Sequence, residues 1–87
     1  MGRRSGQEAQ TMLRSMAVLL RNTTWKCGKV ERLVVKYLSN HLRSHGAPRS
    51  SVKDMVQHFR LQGKQKNEFF DALRRLERRR IISIKGL

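Results

Sequence analysis

Between Val30 and Leu42 the apolar side chains recur at i, i+3, i+4, i+7, i+8, i+11 and i+12: Val30, Leu33, Val34, Tyr37, Leu38, His41 and Leu42. That period predicts one continuous amphipathic helix. Gly46 ends it where a left-handed cap is favoured, and Pro48 follows. His41 lies on the stripe and reads as a half-buried packing residue. A helix with one apolar face has to bury that face against something else. The chain has 87 residues, enough for one small domain. A pocket of several hundred Å³ would remove core that so small a domain needs, which argues against a stand-alone enzyme.

The other elements follow from the same patterning. In residues 7–20, Ala9, Met12, Leu13, Met16, Ala17, Leu19 and Leu20 keep a helical spacing and predict a first helix. Residues 1–21, with Arg3, Arg4, Arg14 and Arg21 against one acid, Glu8, also suit an organellar presequence; the plainer reading is the first helix of a basic domain. Residues 22–28 break the pattern and predict a loop. Within it Trp25, the one tryptophan, reads as a lid over the core edge, with base stacking as the sharper alternative. The tripeptide Asn22-Thr23-Thr24 matches a glycosylation sequon but nothing else points to secretion. Ser50 and Ser51 offer N-caps, with Asp54 in the first turn, to a short helix carrying Val52, Met55, Val56 and Phe59. Gly63 suits a positive φ in a tight turn. A longer helix is expected from about 65 to 80, with Phe69, Phe70, Leu73 and Leu76 inward and Ala72 at the margin. Ile81, Ile82 and Ile84 then predict a strand.

Charge narrows the partner. Lys and Arg number 20 and Asp and Glu 6, a net +14. Residues 1–45 hold nine basic and two acidic residues, and 46–87 eleven and four, so each half carries +7. A merely solvated surface mixes its signs, whereas this excess points to a polyanion, foremost nucleic acid. Cys27 is the one cysteine and has no partner for an intramolecular disulfide, which fits a reducing, intracellular compartment. No Cys/His spacing suits zinc, and no catalytic triad, carboxylate pair or phosphate-cradling loop is visible. The sequence therefore leads us to expect no cofactor, no metal, no small-molecule substrate and no membrane span.

The order helix, short helix, glycine turn, longer helix, strand is that of a helix-turn-helix. The phrases VERLVVKYLSNHLRSHG, SSVKDMVQHF, RLQGKQ and NEFFDALRRLERRRIISI carry a resemblance to the winged-helix branch of that superfamily. The resemblance covers about two thirds of the chain, and implies a mainly α fold: a three-helix core plus an N-terminal helix and a short C-terminal β-strand, the start of a truncated wing. Residues 1–28 would be a basic helix and loop added to a module at 29–87. The family places its longer helix in the major groove of duplex DNA, which is about 12 Å wide.

By that resemblance Lys64, Gln65, Lys66, Asn67 and Asp71 are candidates for base contact, and Arg74, Arg75 and Arg78 for phosphates. Arg79, Arg80 and Lys85 would follow the flanking backbone. The helix start at Ser50, Ser51 and Val52, flanked by Arg49 and Lys53, would offer a phosphate site. The expected role is a regulator or a replication or recombination accessory. An RNA or ribonucleoprotein binder and a protein-docking module are the alternatives. Met12, Leu13, Met16, Leu19 and Leu20 are the candidate surface for a homodimer through the N-terminal helix.

Overall fold

In the computed structural model, which describes the backbone of residues 6–86 and the side chains of 10–86, the long stripe forms a 17-residue helix, α2 (Lys29–His45). Gly46 closes it at φ 78°, and its amide bonds the Leu42 carbonyl. At the other end Glu31 reaches back, and its Oε1 accepts from the Gly28 amide at 2.6 Å. That occupies an N–H no turn of helix can satisfy.

Helices α3 (Val52–His58) and α4 (Lys64–Arg78) pack with α2. Ser51 caps α3, its hydroxyl accepting from the Asp54 amide at 3.0 Å. Gly63 stands before α4 at φ 56° and ψ −126°, a conformation that favours glycine strongly. Both helices end in the same way. Leu61 donates to the Val56 carbonyl and Arg60 to Gln57; Ile81 donates to Leu76 and Arg80 to Glu77. These are Schellman ends, and the residue in the left-handed region is an arginine each time, Arg60 at φ 54° and Arg80 at φ 57°.

The N-terminal segment departs from the helix expected over 7–20. Helix α1 (Gly6–Leu13) stops early, and β1 (Met16–Leu19) follows as a strand. The Ser15 hydroxyl donates to the Thr11 carbonyl at 2.8 Å and its amide to Met12 at 3.0 Å, closing the last turn. β1 is then the middle strand of a three-stranded antiparallel sheet, flanked by β2 (Arg49–Ser51) and β3 (Ile82–Lys85). Ala17 lies opposite Ser50 and Ile84, and Val18 opposite Arg49 and Ser83. Ala17 and Leu19 point into the core, while Met16 and Val18 alternate to the outer face.

Two expectations are corrected by this sheet. The N-terminal segment is no appendage to a module at 29–87, because it supplies the central strand. β3, expected as the start of a truncated wing, is instead an outer strand of this sheet, paired with β1. The apolar residues assigned to a homodimer surface are likewise used within the chain: Met12 is buried, and Leu13 and Leu19 pack on the core. Leu20 alone of the five is strongly exposed. The core is one cluster, centred on Val34, Leu38, Met55, Phe69, Leu73, Leu76 and Ile81. Among the described residues no helix is long and apolar enough to cross a membrane.

Candidate nucleic-acid interface

Helix α4 has two sharply different sides. Phe69, Phe70, Ala72, Leu73 and Leu76 are buried. Lys64, Gln65, Lys66, Asn67, Asp71, Arg74, Arg75 and Arg78 are all exposed. Six of these, Lys64, Asn67, Asp71, Arg74, Arg75 and Arg78, share the side opposite the core on a helix that at 15 residues spans roughly 22 Å, whereas Gln65 and Lys66 stand one turn before Phe69 and Phe70 on the core-facing side, and Gln65 Oε1 accepts from the Gln62 amide at 3.2 Å. Two of these arginines also hold carboxylates. Arg74 lies 3.7 Å from Glu77, and Arg75 Nε lies 3.5 Å from Oε2 of Glu31, on the buried end of α2. Both arginine side chains keep nearly half of their surface open.

The phosphate site expected at the start of α3 is not formed. Ser50 is buried in β2, and its hydroxyl donates to the Ser51 carbonyl at 3.1 Å. The Val52 amide donates to the Ser15 carbonyl at 2.9 Å, and the Asp54 amide to the Ser51 hydroxyl. Two of the first-turn donors thus already have acceptors, and Asp54 itself adds a negative charge. The remaining candidates are scattered. Lys53 is exposed on α3, whereas Arg49 and Lys85 alternate to the outer face of the sheet on either side of Val18 and Met16.

Arg79 also departs from the role expected of it. Its guanidinium holds the loop before α2. Nη2 donates to the Trp25 carbonyl at 2.7 Å, and Nη1 to the Lys26 carbonyl at 3.2 Å and the Cys27 sulfur at 3.5 Å. A fixed fork of donors suits several acceptors at once, which a lysine could not match. Cys27 is correspondingly a buried packing residue.

That staple creates a feature absent from the linear pattern. Trp25 is 69% exposed, so it is not a lid over the core. It lines a cleft of about 540 Å³ with Lys26, Glu31, Arg75, Arg78 and Arg79. The Lys26 ammonium stands 4.7 Å from the centre of the indole. Nothing in the sequence links Trp25 to Arg79, more than fifty positions away.

A second depression lies between α2 and α3, lined among others by Tyr37, His41, His45 and His58. His41 stacks on His45, four residues along the helix, with ring centres 4.1 Å apart. The described residues contain no group of three or more His, Cys, Asp or Glu able to hold a metal ion. Comparison with protein-family models, with curated proteins and with solved structures gave no match to this chain.

Proposed function

We propose that the chain is a helix-turn-helix, winged-helix-like module that binds duplex DNA with α4 in the major groove. The observation that carries the reading is the exposed side of α4, which presents Lys64, Arg74, Arg75 and Arg78 along its length while the opposite side anchors in the core. Asn67 near the start of the helix suits bidentate contact with adenine, and Lys64 suits guanine. Arg74 and Arg78, further along, suit phosphates. The net charge of +14 supports association with a polyanion independently of any one residue.

Anisotropy titrations of labelled duplex at two salt concentrations test the reading. Replacing Arg74 and Arg78 by alanine should flatten the log–log salt dependence by roughly 2 units, about 0.9 for each phosphate that is no longer neutralised. The pair Lys36→Ala/Arg43→Ala on α2 should leave that slope nearly unchanged. Equal effects from the two pairs would mean that α4 is not the contact surface. Equal affinity for hairpin RNA and duplex DNA, indifferent to the α4 pair, would favour a general polyanion surface.

A further inference from the structure

We infer that Trp25 is a stacking platform for an unpaired base, so that the preferred ligand is a duplex carrying a short single-stranded extension. The inference rests on the reading of α4 as a duplex-binding helix and adds a second contact at its C-terminal end.

Four observations support it. Trp25 is the largest exposed apolar side chain among the described residues, ahead of Leu20, Leu42 and Leu33. Its loop is held rather than loose. Arg79 grips the Trp25 and Lys26 carbonyls, and the Trp25 amide donates to the Thr23 hydroxyl at 3.2 Å. Lys26 sits at φ 57°, a conformation a lysine adopts only when its surroundings impose it. An exposed indole on a fixed loop loses little entropy when it meets a flat partner.

The surroundings select the partner's charge. Lys26, Arg75, Arg78 and Arg79 line the cleft against one acid, Glu31, which is already engaged by the Gly28 amide and by Arg75. The site therefore asks for a planar group flanked by anions, which is a nucleotide in a strand. Bases inside a duplex are stacked on one another and offer no free face, so the base has to be unpaired. Arg75 and Arg78 belong both to this cleft and to the exposed side of α4. A strand leaving a duplex held by Arg75 and Arg78 would therefore reach the cleft that the indole lines.

The single tryptophan makes the test direct. Its emission is followed during titration with a blunt duplex and with the same duplex carrying a three-nucleotide overhang. The expected result is tighter binding of the overhang by roughly 5- to 150-fold, the range for one stacked base, with quenching of Trp25 confined to that ligand. Trp25→Ala should abolish the preference and leave blunt-duplex affinity unchanged, and Trp25→Phe should retain part of it. Circular dichroism confirms the fold of each variant. Equal affinity of the native chain for the two ligands, or a preference that survives Trp25→Ala, overturns the inference while leaving duplex binding intact. Failure to bind either ligand overturns the α4 reading as well. A blue shift of Trp25 with anionic lipid vesicles, and none with the overhang, would assign the platform to a lipid surface and likewise overturn the inference.

Discussion

Removing the Arg79 guanidinium tests how the Trp25 loop is held. Arg79 is half-buried and donates to two carbonyls and a sulfur on residues 25–27. A hydrogen bond from a charged donor contributes about 1.5–3 kcal/mol when its surroundings are dry. Here Trp25 and Lys26 are exposed, so their carbonyls recover water after truncation, and the low end applies. The 3.5 Å contact to sulfur is weak and adds little. Arg79→Ala should therefore cost about 2 kcal/mol in all, and in a domain of this size that lowers the melting temperature by roughly 8–16 °C. Arg78→Ala, on the same turn but exposed, is the control and should stay within about 0.5 kcal/mol of the native chain. Arg79→Lys keeps the charge but loses the fork and should recover less than half of the loss. Urea unfolding followed by circular dichroism supplies the free energies. Trp25 emission anisotropy should also fall in Arg79→Ala, as the loop loosens before the core does. A loss no larger than that of Arg78→Ala would refute the staple.

Two further substitutions test the sheet and a helix end. Ala17 is fully buried at the centre of β1, so Ala17→Leu should destabilise by about 1–3 kcal/mol through overpacking, whereas Val18→Thr on the outer face should stay within about 0.5 kcal/mol; equal urea midpoints for the two would contradict the alternation. Arg60 occupies the left-handed region at an exposed turn, so Arg60→Gly should raise the melting temperature by a few degrees, equivalent to as much as about 1 kcal/mol, and a drop would show that the arginine side chain contributes more than its backbone strain removes.

The helices from Lys29 onward were legible in the order of residues. The stripe set α2, although Leu33 and Leu42 on it stay exposed and Val35 beside it is buried; Ser51 and Asp54 marked the start of α3, and Gly46 and Gly63 marked turns that need positive φ. Those signals are local: each depends on neighbours within about one or two turns, so periodicity and capping chemistry reveal them. The exposed side of α4 was legible for the same reason, because a buried stripe on a regular helix dictates its opposite side.

The ends of α3 and α4 were less legible, since arginine rather than glycine takes the left-handed position, and composition does not mark it. The strand at Met16–Leu19 emerged only with the assembled fold. Its run of Met, Ala, Val and Leu fits a helical and an alternating pattern alike. What selects the strand is pairing on both edges, with β2 and β3 brought from about 30 to 70 positions away. Arg79 and the cleft at Trp25 depended on the same kind of long-range contact. An arginine in a basic run is indistinguishable from its neighbours until the fold sets carbonyls within reach of one guanidinium and not of the next. Burial and hydrogen bonding between distant segments are properties of the assembled chain, and no window of sequence contains both partners.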